Sequence, residues 1–283
     1  FQAARGERER NEIPAGFHAY DRVPMFMVIR FLPFLLLALP LFAAGVAPES
    51  AAAFKTYDRK VEQEVRARIA SGRIVSLRER VKRNGGKAIV ESGAEPNPND
   101  VGSAYIHDWL GAIFIPGGTA AGVKTVLQNF DRHKDYYQPE VTGSKLLSKN
   151  GDEFHSALRL RKKKILTVIL SSEYTTRFTD LSPLAGYSIA RSTKMSEVEN
   201  PGTPGERELP PGEGQGFLWN LNSYWSWEER EGGVYVECRA ISLSRDVPTG
   251  LGWMINPIIR DLPKESLEAT LINTRKAVLA SQR

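Results

Sequence analysis

The segment from Phe217 to Arg245 constrains the fold most, because it has the pattern of one long aromatic hairpin. From Phe217 to Trp227, apolar residues occupy nearly every second position, as expected of a strand with one buried and one solvated face. Glu231-Gly232 supplies a two-residue turn, and an apolar run returns from Val234. This turn predicts three cross-strand pairs: Trp227 with Val236, Trp225 with Cys238, and Ser223 with Ala240. Large side chains would then face small ones, which favours close packing.

Three tryptophans, Trp219, Trp225 and Trp227, are predicted to share one face of this hairpin. A single strand rarely carries so much apolar surface unless that surface is covered. The pattern therefore indicates either a thick core or an internal cavity beneath the hairpin.

The first 53 residues are predicted to lie outside the fold. Residues 1–24 are charged and lack an apolar period, which is typical of a disordered upstream extension. Residues 25–53 have the layout of a secretory signal, with Arg30, an apolar run and small residues before Phe54. The uncharged stretch from Phe31 to Ala47 has 17 residues, whereas a span needs about 20. We therefore favour an exported, periplasmic or extracellular protein over one anchored in a membrane through residues 26–47.

Composition excludes several classes of function. The net charge of +5 is mild, and no motif combining basic and aromatic residues indicates a nucleic-acid partner. Cys238 is the single cysteine, so neither an intramolecular disulfide nor a cysteine metal site is expected. No histidine spacing indicates a metal site, and no cofactor is predicted.

Residues 54–95 are predicted to form a helix and a pair of short strands. The apolar residues recur at every fourth position until Gly72, which is typical of a helix that ends at a glycine. The runs Ile74–Val81 and Lys87–Val90 resemble strands separated by a glycine turn.

Residues 96–283 are predicted to form an α+β domain of about six to seven antiparallel strands followed by a long C-terminal helix. A strand spans Tyr105–Ile115, Thr119 caps a helix, and Asn150-Gly151 marks a hairpin. Pro263 is expected to begin the last helix. One side of that helix carries Leu267, Leu271, Thr274 and Val278.

The chain resembles the START-like superfamily, which includes lipid-transport, polyketide cyclase and pollen-allergen proteins, and in particular its uncharacterised exported bacterial members. The resemblance covers roughly residues 103 to 283. It rests on Ile106-His-Asp-Trp-Leu-Gly-Ala-Ile-Phe-Ile-Pro116, Glu197-Val-Glu-Asn-Pro-Gly202, Gly216-Phe-Leu-Trp219, Tyr224-Trp225, Gly233-Val-Tyr-Val-Glu-Cys238, Ile241-Ser-Leu-Ser-Arg245 and Pro263-Lys-Glu-Ser-Leu267.

This resemblance implies a helix-grip fold, in which a curved antiparallel sheet grips the C-terminal helix around an apolar tunnel. The implied function is binding, carriage or sequestration of a hydrophobic small molecule or lipid. Two alternatives are a cyclase- or hydrolase-type enzyme that uses the same cavity, and a structural or interaction protein with a filled interior.

The side chains expected to line the cavity are apolar or hydroxylated, and each of them could instead be plain core packing. They are Trp219, Trp225, Trp227, Phe154, Tyr174, Leu271 and Thr274. No catalytic residue is predicted. His107 and Asp108 are neighbours in a strand, so their side chains point to opposite faces and cannot act as a pair.

Two surface features suggest further roles. Lys162, Lys163 and Lys164 are predicted to form a basic hairpin tip that could contact anionic membrane surfaces, and of the two interpretations we favour a solvated turn over membrane contact. Residues 199–214 contain four prolines and four glycines and are a candidate lid.

Overall fold

A computed structural model describes residues 45–163, 167–214, 218–245 and 252–282, with the backbone alone for residues 252–260. Within these ranges no helix is long and apolar enough to cross a membrane. The predicted upstream extension, residues 1–24, and residues 25–44 of the predicted signal or anchor segment lie outside the described residues. The expected end of that segment at residue 53 falls inside helix α1, Pro48–Ala70.

The N-terminal helix predicted up to Gly72 is confirmed, and it buries Phe54, Val61, Val65 and Ile69. The strand predicted for Ile74–Val81 is wrong, because this segment leads into a short helix, α2, Arg78–Arg83. Leu77 and Val81 are four residues apart and bury together, which is helical spacing that the short run concealed. The second strand of the predicted pair forms as β1, Ile89–Ser92.

The sheet has ten strands among the described residues, more than the six to seven predicted. They are β1, β2 (Asn99–Asp100), β3 (Ala104–Pro116), β4 (Val141–Asn150), β5 (Glu153–Lys163), β6 (Thr167–Ser182), β7 (Ala185–Glu199), β8 (Arg207–Glu208), β9 (Asn220–Arg230) and β10 (Gly233–Arg245). The main order is β1-β3-β10-β9-β7-β6-β5-β4, with β2 beside β3 and β8 beside β7. Strand β1 belongs to the pair predicted before residue 96, and the two strands without a prediction, β2 and β8, have two residues each, too short to show a period of two.

The remaining helices lie on one side of the sheet. Helix α3, Ala120–Gln128, is capped by Thr119, whose side chain accepts a hydrogen bond from the Gly122 amide, as predicted. A 3₁₀ turn and the short helix α4, His133–Tyr136, follow. Helix α5 runs unbroken over Gly252–Ser281, so the prediction that Pro263 begins it is wrong. A proline removes one hydrogen bond from the helical ladder, and here the helix continues through it.

The register of the aromatic hairpin is confirmed. Trp227 pairs with Val236, Trp225 with Cys238, and Ser223 with Ala240. On the other side of β9, Trp227 lies opposite Gly186 and Trp225 opposite Ser188 of β7. Each of these two indoles is therefore flanked by smaller side chains on both neighbouring strands.

The sheet is strongly curved, because α5 touches strands that would be far apart in a flat sheet. Leu271 of α5 packs on Gly111 of β3, while Ser266 of α5 accepts a hydrogen bond of 2.7 Å from Lys162 of β5. Five strand spacings separate β3 from β5, about 24 Å in a flat sheet. A helix with its side chains is only about 10–12 Å across. The predicted helix-grip arrangement is therefore confirmed.

Helices α1 and α2 cover the opposite, convex face. Tyr224 of β9 donates a hydrogen bond to the Asp58 backbone carbonyl of α1 at 3.1 Å, and Asn222 donates to the Asp58 carboxylate at 2.8 Å. The central strands are thus covered on both faces.

The packing of Trp227 against Gly186 predicts a sharp steric effect. A Cβ at Gly186 would lie 2.6 Å from the Trp227 ring and 3.0 Å from the Thr179 carbonyl oxygen. We expect Gly186→Ala to lower the free energy of unfolding by about 1–3 kcal/mol, measured by urea denaturation. Gly205→Ala is the matched control, because its nearest neighbour would be 3.7 Å away. Equal midpoints for the two variants would contradict this packing.

Candidate functional site

One end of the concave face is filled with packed side chains. Phe130, Phe154 and Phe178 pack against one another, and Trp227 packs against Phe178, with ring centroids 5.3 to 6.5 Å apart. Leu271 of α5 belongs to the same buried cluster. Of the predicted lining residues, Phe154, Trp227 and Leu271 therefore lie together at this closed end.

The other end of the concave face is less filled. Trp109, Leu158, Leu221 and Trp225 point to this side, yet they are only partly buried. Small side chains occupy the centre of the face, where Ala190, Ser223 and Ala240 lie side by side on β7, β9 and β10. These three residues are also only partly buried. We call this region, between the small residues and the partly buried apolar side chains, the inner chamber.

Tyr174 lies in a buried cluster that Leu158 and Leu221 pack against. The residue is only 7% exposed, and its hydroxyl has no hydrogen-bond partner among the described residues. The neighbouring Ser172 hydroxyl donates instead to the Leu158 carbonyl at 3.1 Å. Burial raises the pKa of the Tyr174 phenol to about 12, so the hydroxyl is a neutral donor.

Thr274 lies deeper on α5 and is fully buried. Its hydroxyl donates to the Thr270 carbonyl at 2.8 Å and lies 3.3 Å from the Tyr137 hydroxyl. Thr274 therefore joins α5 to the residues that follow α4, and its hydrogen bonds are internal.

The prediction that Trp219 shares a face with Trp225 and Trp227 is wrong. Trp219 precedes β9, which begins at Asn220, so the alternation of the strand does not extend to it. Its side chain packs with Phe54 in the cluster beneath α1. Trp219 thus contributes to the convex side.

The prediction of an exposed lysine tip fails for Lys162. Strand β5 continues to Lys163, and the alternation that turns Phe154 inward also turns Lys162 inward. The Lys162 ammonium forms an ion pair with Glu140 and a hydrogen bond with Ser266. Burial lowers its pKa. Lys163 is exposed, and Lys164 lies outside the described residues.

His107 and Asp108 lie on opposite faces, as predicted. His107 points inward, where its Nε2 lies 3.0 Å from the Ser244 hydroxyl. Asp108 points to the convex face, where Arg239 binds its carboxylate with contacts of 2.6 and 2.9 Å and Tyr57 donates at 2.7 Å. Among the described residues, no group of histidine, cysteine and acidic side chains could hold a metal ion.

The candidate lid, residues 199–214, is held to the sheet. Strand β8 pairs with the end of β7, and three ion pairs fix the segment: Arg207 to Glu199, Lys194 to Glu208, and Arg159 to Glu206. Arg159 belongs to the outward-facing set of β5. The ion pairs of Arg159 and Lys194 therefore lie on the convex side of the sheet, whereas Glu199 shares the inward-facing side of β7 with Met195 and Glu197.

A pocket of about 490 Å³ lies on the convex side between α1 and the sheet. Three arginines line it, Arg68, Arg73 and Arg239. Two of them are already engaged, because Arg68 pairs with Glu237 at 2.8 Å and Arg239 pairs with Asp108 and Glu64. This pocket therefore offers no free charge from these two arginines.

Several functional candidates could not be found from sequence. Glu140 and Ser266 are 126 positions apart, and only the curvature of the sheet brings both to Lys162. The unpaired state of the Tyr174 hydroxyl likewise depends on where Ser172 directs its own hydrogen bond. The row of small residues had a sequence signal, since the hairpin register placed Ser223 opposite Ala240.

No family model matches the chain, and no curated protein matches it in sequence. Solved structures do match it. A protein from Thermus thermophilus has 14% identity and a TM-score of 0.46, covering 62% of this chain and 98% of that one. A STAR-related lipid transfer protein from Xanthomonas axonopodis has 17% identity and a TM-score of 0.40, covering 66% of this chain and 98% of that one. Zhui aromatase/cyclase from Streptomyces sp. R1128 has 13% identity and a TM-score of 0.41, covering 62% of this chain and 93% of that one.

The matched structures include proteins of the START-like group that the sequence resembles. At these identities and TM-scores, the likeness is one of backbone fold alone. The assignment of a ligand to this protein rests on its own residues.

His133 predicts a pH dependence of stability. It packs between Phe130 and Tyr137, and burial lowers the pKa of its imidazole from 6.5 to about 4. Between pH 6.5 and pH 4, the unfolded chain therefore binds a proton that the folded protein does not bind. The free energy of unfolding should fall by about 2 kcal/mol from pH 7 to pH 5 through this group.

His133→Gln should remove this part of the pH dependence, measured by urea unfolding at both pH values. His155→Gln serves as the control, because its side chain is 44% exposed. A wild-type dependence in His133→Gln would contradict the buried neutral imidazole.

Proposed function

We propose that the protein binds, and thereby carries or sequesters, a hydrophobic small molecule or lipid in the inner chamber. The observation that carries this proposal is the row of small side chains Ala190, Ser223 and Ala240 across the centre of the concave face. Small residues beneath a covering helix leave room, whereas large ones would fill it. The apolar side chains around the row are only partly buried.

The binding free energy would come from removing apolar surface from water, at about 25 cal/mol per Å² before the cost of ordering the ligand. Trp225 and Leu221 offer apolar surface on β9, and Leu158 offers it on β5. The mechanism is passive and requires no covalent step.

The Tyr174 hydroxyl indicates that the ligand carries one polar, uncharged atom. A buried hydroxyl without a partner is costly, and a ligand acceptor within hydrogen-bond distance would remove that cost. The preferred guest is therefore a mostly apolar molecule with a carbonyl or hydroxyl group.

We also propose that the protein acts outside the cytoplasm, as the layout of residues 25–53 supports. Mass spectrometry of the protein purified from its own host would identify the mature N-terminus. Cleavage before Pro48 or nearby supports export, and an intact segment contradicts a cleaved signal.

Native mass spectrometry of the purified protein, followed by lipid extraction, tests ligand binding. We expect a bound apolar molecule in the wild type and none in Ser223→Trp, because the indole would occupy the space beside Ala190 and Ala240. Thr175→Trp places the same side chain on the outward-facing set of β6 and should keep the ligand. Loss in both variants, or an empty wild type, would argue against a chamber, and turnover of the extracted molecule would favour the enzyme alternative.

The variant Tyr174→Phe distinguishes a role of the hydroxyl in ligand binding from a role in the stability of the fold. Removing an unpaired buried hydroxyl should leave the free energy of unfolding unchanged or raise it. The affinity for the extracted ligand should fall about tenfold, measured by titration calorimetry. Unchanged affinity would show that Tyr174 does not contact the ligand.

A further inference from the structure

A second concave surface lies at the closed end of the fold, away from the inner chamber. It is a groove of about 470 Å³ between the last turns of α5 and the segment that joins α2 to β1. We call it the outer groove. Its volume lies within the range of small-molecule sites.

The floor of the outer groove is apolar. Ala88 and Ile113 form the side of the sheet, and Ile272 and Leu279 form the side of α5. Ile272 is 37% exposed, so it presents apolar surface to solvent. Its spacing of seven residues from Leu279 places both on one stripe of the helix.

The rim of the outer groove is cationic. Lys87, Arg275 and Lys276 line it together with one carboxylate, Glu268. Within the described part of the chain, none of these three cations forms an ion pair or a side-chain hydrogen bond. They differ in this respect from Arg68 and Arg239 in the convex pocket, which are committed to carboxylates.

From this combination we infer that the outer groove binds a free, single-chain anionic amphiphile, such as an alkyl carboxylate. The chain would cover Ile272 and Leu279, and the anionic group would lie among Lys87, Arg275 and Lys276. Charge complementarity determines that the ligand is negatively charged, because three cations and only one carboxylate line the groove. A neutral guest of the inner chamber and this anion would therefore occupy separate sites.

Methyl NMR spectroscopy of the full chain, titrated with dodecanoate below its micelle concentration, tests the inference. We expect saturable shifts of the Ile272 and Leu279 methyl groups, with no shift at Val236 in the closed core. The same titration with dodecyltrimethylammonium should be weaker by about tenfold, because its headgroup would meet like charges.

The variant Lys87→Gln, Arg275→Gln, Lys276→Gln should bind dodecanoate at least about tenfold more weakly. A matched variant, Lys55→Gln, Lys60→Gln, Lys145→Gln, removes three exposed cations elsewhere and should bind like the wild type. Equal loss in both variants, equal binding of the cationic amphiphile, shifts confined to interior methyl groups, or binding to anionic vesicles without binding of free dodecanoate would each overturn the inference. The empty or filled state of the inner chamber does not affect these readouts.

Discussion

Burial of β3 and β10 on both faces is the constraint on which the rest of the structure depends. The helix α5 covers their concave side, and α1 covers their convex side. Every change of one position along these strands therefore moves a side chain from one buried environment to another. The sheet must also bend until α5 reaches both β3 and β5, and this bend creates the inner side on which we propose that the ligand binds.

The two buried sides differ in chemistry. On β3 and β10, Asp108, Glu237 and Arg239 all point to the convex side, where each meets an opposite charge. A buried charge is tolerated only when it is paired and hydrogen-bonded. In the middle of β9 and β10 the concave side carries aromatic, aliphatic and hydroxyl side chains instead. Charged groups lie around this patch: Lys162 pairs with Glu140, and the Lys264 ammonium lies 5.8 Å from the Trp109 ring centroid. The uncharged middle of the two strands supports the proposed binding of a mostly apolar guest.

Local signals predicted the fold well where the turn chemistry was explicit. A two-residue turn sets the register of its strands, so the pairing of Trp225 with Cys238 followed from sequence. The prediction failed at Leu77 and Val81, because a helix of six residues shows only one repeat. It failed at Pro263 because proline weakens a helix without always ending it. It failed at Lys162 because the end of a strand depends on hydrogen bonds that sequence does not display.

The candidate site was predictable in type and only partly in position. The alternation of β5 and β6 placed Phe154 and Tyr174 on the inner side, as the sequence indicated. The division of that side into a filled end and an open end arises from α3 and α5, whose contacts join residues more than a hundred positions apart. The position of Trp219 could not be predicted in this way, because the alternation of β9 begins only at Asn220.

The row of Ala190, Ser223 and Ala240 has an evolutionary consequence. These side chains project from three strands whose backbone hydrogen bonds do not depend on side-chain size. Single substitutions in the row can therefore enlarge or reduce the interior one carbon at a time while the strand register stays the same. For the proposed ligand binding, this means that point changes in the row would exchange one guest for another without redesign of the framework.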